Sequence, residues 1–163
     1  MSLVAAEARR FQLVLIKPSH YDDDGYLIQW ARTYTPSNSL AALYGIASDC
    51  ADRRILGPDV DLRTTVKDEV VTRISARKII RQIHRSGGKG LVALVGVQSN
   101  QFPRAVDIGR RLRAGGLPVC IGGFHAAGSL ALPFDRDRYS RRYLPVCDAL
   151  TFMISSGVPV ATT

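Results

Sequence analysis

The segment LVALVGV at residues 91–97 decides the fold class, because it is a continuously apolar, β-branched run of strand length. Such a run is typical of a central strand whose two faces are both covered. A second run, FQLVLIK at residues 11–17, has the same character and stops at Pro18. Two further segments, VDLRTTV at residues 60–66 and LPVCI at 117–121, predict a more exposed strand and a short fourth one.

Helical segments separate these four strands. Ser37 or Asn38 can cap a first helix, Ser75 can cap a second, and Pro103 falls in the first turn of a third. Alternation of strand and helix predicts an α/β fold with a doubly wound, flavodoxin-like (Rossmann-like) parallel sheet and helices on both faces. In that topology the second strand is outermost and the first lies beside the third.

Length and composition favour one domain in a reducing compartment. The chain has 163 residues, of which 46% are hydrophobic, and three scattered cysteines that form neither a disulfide framework nor a zinc pair. No apolar run reaches the roughly 18 residues that a membrane span needs, and the first ten residues lack a signal-peptide core. We therefore expect a cytoplasmic protein without a membrane partner.

The net charge of +8 raises the question of a polyanionic partner. Ten of the 22 cationic residues fall in or beside two predicted helices and are interpreted as solvated helix faces. The residues concerned are Arg73, Arg77, Lys78, Arg81, Arg85 and Lys89 for one helix, and Arg104, Arg110, Arg111 and Arg113 for the other. No aromatic-basic pattern or helix-turn-helix signature accompanies them, so nucleic acid is not the expected partner.

Ligands of such sheets bind at the carboxyl ends of the strands, near the point where the strand order reverses. Three polar or glycine-rich segments follow the predicted strands, at residues 18–20, 98–100 and 122–125. They should converge on one rim, where His20 and His125 could approach the same crevice. The glycine pair at 122–123 can bring bare backbone close to a ligand. Neither GxGxxG nor GxxxxGK[ST] occurs, which disfavours a dinucleotide or nucleoside triphosphate site.

Two features of the long loop after the first strand leave alternatives open. Asp22, Asp23 and Asp24 invite a magnesium or phosphoacceptor interpretation of the receiver kind, but the third predicted strand ends without a carboxylate, so a solvated loop is preferred. The aromatic residues Tyr26, Trp30 and Tyr34 could stack on a planar ligand or pack against a neighbouring domain.

Four segments together resemble one known family. They are KPSHYDDDGY at residues 17–26, PSNSLAALYG at 36–45, LVGVQSNQFPRA at 94–105 and PVCIGGFHAAG at 118–128. This combination resembles the N-terminal cobalamin-binding domain of radical S-adenosylmethionine (radical SAM) proteins, over residues 11–132. The resemblance implies a Rossmann-like domain that holds the nucleotide tail of cobalamin between the loops after the first, third and fourth strands.

The resemblance also implies a set of cofactor-binding residues. Carried over position by position, they are Ser19, His20, Gln98, Ser99, Gly122, Gly123 and His125. Bulk at the second glycine would be expected to block the tail. Cobalamin-dependent mutases have DxHxxG, but Pro18 and Asp23 stand at its aspartate and glycine positions around His20. No catalytic residue and no metal ligand from the protein are therefore expected.

In the family a following barrel carries CxxxCxxC, which binds the 4Fe-4S cluster that cleaves S-adenosylmethionine. No such triplet occurs in these 163 residues. We therefore expect the radical reaction to take place in a downstream barrel, which is either a further domain or a separate chain. We divide the chain into a lead (1–10), the cobalamin-binding-like domain (11–132) and a tail (133–163). The tail departs from the family pattern and is either a divergent closing segment or an out-of-frame extension.

The sequence thus predicts a cobalamin-binding module of a radical SAM enzyme, present here without the iron-sulfur barrel. The enzyme would be a methyltransferase or would perform other radical chemistry. The alternative is a cofactor-free, receiver-like or partner-binding doubly wound domain. A small flavin or nucleotide enzyme on the same topology is a third hypothesis.

Overall fold

The computed structural model describes residues 9–32, 35–131 and 149–151, which form a five-stranded parallel sheet with α-helices between the strands. The strand order is β2-β1-β3-β4-β5. The elements, in chain order, are β1 (Arg9–Lys17), α1 (Asn38–Asp52), β2 (Val60–Asp68), α2 (Ala76–Arg85), β3 (Gly90–Leu94), α3 (Phe102–Ala114), β4 (Val119–Gly122), α4 (Phe124–Ala131) and β5 (Ala149–Thr151). The predicted flavodoxin-like α/β fold is confirmed.

Alternation along β1 sends side chains to both faces of the sheet. On one face Val14 and Ile16 join a large buried cluster with Ile79 and Ile83 of α2 and with the apolar side of α3. On the other face Leu15 packs in a smaller cluster with Leu40 of α1. Helices therefore cover both faces of the sheet, which explains why the sequences of β1 and β3 are continuously apolar.

The helices begin where local chemistry predicts. The Ser37 side chain accepts a hydrogen bond from the Leu40 N–H, and Ser75 does the same for Lys78. Each hydroxyl satisfies an amide that the first helical turn leaves unpaired. Pro103 lies in the first turn of α3, where a missing N–H costs nothing.

The third strand ends earlier than predicted. β3 stops at Leu94, and Gly96 turns the chain with φ of +64°. The link still bonds to both neighbouring strands, because Val95 N–H donates to Ile16 O at 2.7 Å and Val97 N–H to Gly122 O at 3.0 Å. An apolar run therefore overstates the length of a strand when its last residues form a turn between two strand ends.

The chain beyond β4 adds two elements to the four predicted strands. α4 begins at Phe124, directly after the glycine pair, and β5 pairs in parallel with β4 from Cys120 to Gly122. The outer edge of β4 is thus covered by β5. Arg9 and Arg10, which we placed in the lead, belong to β1. The other tail residues, residues 1–8 and Tyr34 lie outside the described residues.

The structure also bears on membrane insertion. Among the residues described, no helix combines the length and the apolar character that crossing a membrane requires.

Candidate functional site

The switch point of the sheet lies between the carboxyl ends of β1 and β3, since β2 lies on one side of them and β4 on the other. The loops after β1, β3 and β4 meet at this edge. We define the rim as residues 18–20 and 96–101 of the first two loops together with residues 123–125, the turn from β4 into the start of α4, which we call the β4 loop.

The rim brings Ser99 and His125 together. The His125 Nδ1 atom lies 3.1 Å from the Ser99 Oγ atom, across the gap between the β3 and β4 loops. Two further contacts hold the histidine: its backbone N–H donates to Val97 O at 3.1 Å, and the centroid of its ring lies 4.2 Å from that of Phe102, with the two rings inclined at 37°. The imidazole is therefore held in a fixed position at the surface, beside the exposed Gln98 and Ser99.

Burial affects the protonation of this histidine. Desolvation lowers the pKa of the His125 imidazole below its ordinary value, because a buried charge loses the favourable solvation of water. At neutral pH this shift favours the uncharged form of the ring. Together with the Ser99 hydroxyl and the Gln98 amide it offers neutral hydrogen-bond donors and acceptors rather than a charge.

The glycine pair serves the contact between the two loops. Gly123 adopts φ of +144°, and a Cβ atom there would lie 2.2 Å from the Val97 N atom and 2.6 Å from its O atom. The Gly122 O atom accepts the hydrogen bond from Val97 N–H. A side chain added at Gly123 would therefore first collide with the backbone of the β3 loop. From the sequence, we expected it to collide with the bound ligand.

The two predicted residues after β1 differ in exposure. Ser19 is fully buried, its N–H donates to Glu69 Oε2 at 3.2 Å, and its hydroxyl donates to Ile28 O. His20 is half-buried, and its carbonyl accepts from Ile28 N–H at 3.0 Å. Ser19 therefore supports the loop from inside, while His20 reaches its surface.

A buried ion pair beneath this loop was not anticipated from the sequence. Arg104 Nη2 lies 2.6 Å from Glu69 Oε1, and the two residues are 8% and 0% exposed. Arg104 Nη1 also donates to the Tyr21 hydroxyl at 3.1 Å, which in turn donates to Asp107 Oδ2 at 2.7 Å. Burial and the Asp107 carboxylate raise the pKa of Tyr21. The interpretation of Arg104 as part of a solvated helix face is wrong.

Gln101 is a further residue whose role the sequence did not indicate. Its Nε2 atom donates to Pro18 O at 2.9 Å, and its Oε1 atom accepts from Gln98 N–H at 3.0 Å. It is 8% exposed and joins the β1 loop to the β3 loop across the switch point. Both loops are therefore held in fixed register before any ligand arrives.

The acidic triplet forms an exposed turn. Asp22 Oδ1 accepts from the N–H groups of Asp24 and Tyr26, at 3.1 and 2.7 Å, so this carboxylate stabilises its own loop. Within the described part of the chain no three His, Cys, Asp or Glu side chains are grouped as metal ligands would be. Tyr26 and Trp30 are 73% and 64% exposed, which leaves both aromatic hypotheses open.

The lowered pKa of His125 predicts a titration. In an NMR titration we expect the imidazole of His125 to have a pKa below 6.5. Because the folded state then binds fewer protons than the unfolded state, stability falls as the pH drops from 6.5 toward the folded pKa. His125→Gln should remove that part of the acid destabilisation. A measured pKa at or above 6.5 would show that burial does not govern this ring.

The rim thus combines a fixed, neutral hydrogen-bonding surface with a buried ionic support, at the edge where doubly wound sheets bind ligands. Comparisons with protein-family models, with curated proteins and with solved structures find no match to this chain.

Proposed function

We propose that this domain binds cobalamin at the rim, as the cofactor module of a radical SAM enzyme. The observation that carries the proposal is the hydrogen-bonded pair of Ser99 and His125, exposed at the sheet edge beside the switch point. The motifs that resemble the cobalamin-binding family fall on the same three loops. Location and sequence pattern therefore agree.

The chemistry of the rim fits this cofactor. Cobalamin carries carboxamide side chains and a ribose phosphate tail, which are recognised by neutral donors and acceptors as well as by backbone amides. Gln98, Ser99 and His125 supply such groups at the surface, and His20 borders them. Cobalamin brings its cobalt within its own ring, so the site needs no cluster of protein ligands.

The residues of the rim have two different tasks under this proposal. Ser99 and His125 contact the cofactor, with His125 neutral and oriented by Phe102 and by the Val97 carbonyl. Ser19, Gly122 and Gly123 keep the loops in place. Bound cobalamin would supply methyl transfer or radical chemistry. The barrel with the 4Fe-4S cluster and S-adenosylmethionine is the partner that would use it.

The test is a titration of the purified chain with hydroxocobalamin, followed by absorbance and by retention of colour through gel filtration. We expect saturable binding, weakened roughly tenfold in Ser99→Ala/His125→Ala because two hydrogen bonds of about 0.5–1.5 kcal/mol each are lost. His84→Ala is the matched control. His84 contacts Gly115 O after α3, at the opposite edge of the sheet, and its replacement should leave the affinity unchanged.

Two outcomes would refute the proposal. The first is a wild-type chain that retains no cobalamin, which would favour the cofactor-free, partner-binding alternative. The second is equal affinity of the double variant and His84→Ala, which would move the site away from the rim.

A further inference from the structure

The outer side of α2 and α3 carries a second feature that the proposed cobalamin site does not use. A cavity of about 800 Å³ lies there and is lined by Arg73, Ile74, Ser75, Ala76, Arg77, Lys78, Ile80, Arg81 and Arg111. Five of these nine residues are cationic and none is acidic. We call this feature the basic cavity. It is broadly open to solvent.

The cations of the basic cavity lack the carboxylate partners that four exposed arginines elsewhere in the described chain have. Arg9, Arg10, Arg53 and Arg63 are exposed arginines that each lie within 4.0 Å of a carboxylate oxygen. Within residues 9–32 and 35–131, by contrast, none of the five cations of the basic cavity forms an ion pair. Five cations around one cavity, with no acidic side chain in its lining, attract an anion that can contact several of them at once.

The basic cavity stands on a rigid base. α2 contacts the end of α3 closely, since a Cβ atom at Gly115 would lie 2.3 Å from Ile80 Cδ1. His84 Nε2 lies 3.1 Å from Gly115 O and fixes the last turn of α2 against the same residue. Arg77, Lys78, Arg81 and Arg111 therefore project from two helices whose relative position is set by packing. Binding a ligand to them costs less conformational entropy than ordering a loop would.

We propose that the basic cavity binds a compact anion with several phosphates. Arginine and lysine recognise phosphate oxygens through charge-assisted hydrogen bonds, and five of them exceed what one phosphate needs. The apolar part of the lining is aliphatic, from Ile74, Ala76 and Ile80. Single-stranded nucleic acids need aromatic platforms for their bases, and no aromatic side chain lines the cavity. A small polyphosphate fits this lining better than an oligonucleotide does.

The test is isothermal titration of the full chain with inorganic triphosphate at low ionic strength. Arg77→Gln/Arg81→Gln removes two cations of the basic cavity. Arg85→Gln/Arg110→Gln is the matched control: it removes two exposed arginines from the same two helices, outside the cavity, and changes the net charge equally. We expect the first variant to bind triphosphate roughly tenfold more weakly, as for the loss of close charge contacts, and the control to bind within about threefold of the wild type.

Three outcomes would overturn the proposal. They are no measurable binding of triphosphate to the wild type, an equal loss of affinity in the two double variants, and tighter binding of a single-stranded oligothymidine that depends on Arg77 and Arg81. The second outcome would mean that net charge alone attracts the anion. The third would identify a nucleic-acid backbone as the ligand. All replaced side chains are exposed, so circular dichroism should report unchanged folding.

Discussion

Replacing Arg104 with methionine is expected to lower the free energy of unfolding by about 3–5 kcal/mol, which is the usual cost of removing one partner of a buried ion pair. Methionine keeps most of the apolar stem of the side chain and removes the guanidinium group, so the contacts of the stem within α3 change little. What is lost is the cation that lies 2.6 Å from the fully buried Glu69 carboxylate. Urea unfolding followed by circular dichroism measures the difference.

Two further variants separate the ion pair from other effects. Arg110→Met changes an exposed arginine of the same helix and should leave stability within about 0.5 kcal/mol of the wild type. Glu69→Gln/Arg104→Met removes both charges and should be more stable than Arg104→Met alone, because no uncompensated carboxylate stays buried. The explanation fails if Arg104→Met is as stable as Arg110→Met, or if the double variant recovers nothing.

The ion pair matters for the rim because it supports the loop that carries His20. Glu69 accepts from Ser19 N–H, while Arg104 donates to the Tyr21 hydroxyl. The two residues that flank His20 in the chain, Ser19 and Tyr21, are thus held by the same pair of buried charges. A buried pair is costly to desolvate and stabilises less than an apolar equivalent would. We infer that its value in this fold is to hold the β1 loop in one arrangement.

The order of elements could be predicted from the sequence because it depends on local patterns. Apolar runs located β1 and β3, and hydroxyl caps located the starts of α1 and α2. The parallel order then follows from alternation and from the handedness of the crossovers. Strand and helix ends were less accurate, as β3 shows, because turn geometry depends on the neighbouring strands.

The buried support of the rim could not be predicted in the same way. Arg104 resembles the other arginines of α3 in sequence, and its partner Glu69 is 35 positions away. One signal was present: Arg104 lies four residues before Ile108 and eight before Leu112, so the helical period places it on the buried side of α3. A charged residue on such a stripe needs a buried partner, and Glu69 follows directly on β2.

The sequence predicted that the loops of the candidate site converge. It did not predict which of their side chains are exposed and which support the loops from inside. The sequence indicated that residues 98–100 and 122–125 meet at one edge, and Ser99 and His125 do so. Ser19 was assigned to the same surface but is fully buried. Residue type and position along the chain indicate which loops meet. They do not indicate which of two adjacent polar side chains points inward, since this depends on the hydrogen bonds that Glu69 and Ile28 offer.

Replacing Gly123 with alanine is expected to destabilise the fold by roughly 2–5 kcal/mol, from the strain of a positive φ combined with overpacking. The new Cβ atom would lie 2.2 Å from the Val97 N atom, and a backbone atom that bonds to Gly122 O cannot move aside cheaply. Gly45→Ala is the matched control, because Gly45 lies inside α1 with nothing within 4 Å of its added Cβ atom. That replacement should instead stabilise the protein by about 0.5–1 kcal/mol.

The opposite signs of these two effects bear directly on how cobalamin binding should be tested. A variant at Gly123 would lose cobalamin whether the glycine contacts the cofactor or only the β3 loop, because the same substitution pushes apart Gly123 and Val97. Thermal unfolding of Gly123→Ala and Gly45→Ala therefore has to precede any binding experiment at this position. If Gly123→Ala is as stable as the wild type, the β3 and β4 loops can separate without cost, and bulk at Gly123 again becomes a specific probe of the cofactor. If it is destabilised as expected, the loss of cobalamin is informative only in Ser99→Ala/His125→Ala, whose side chains are truncated without adding an atom.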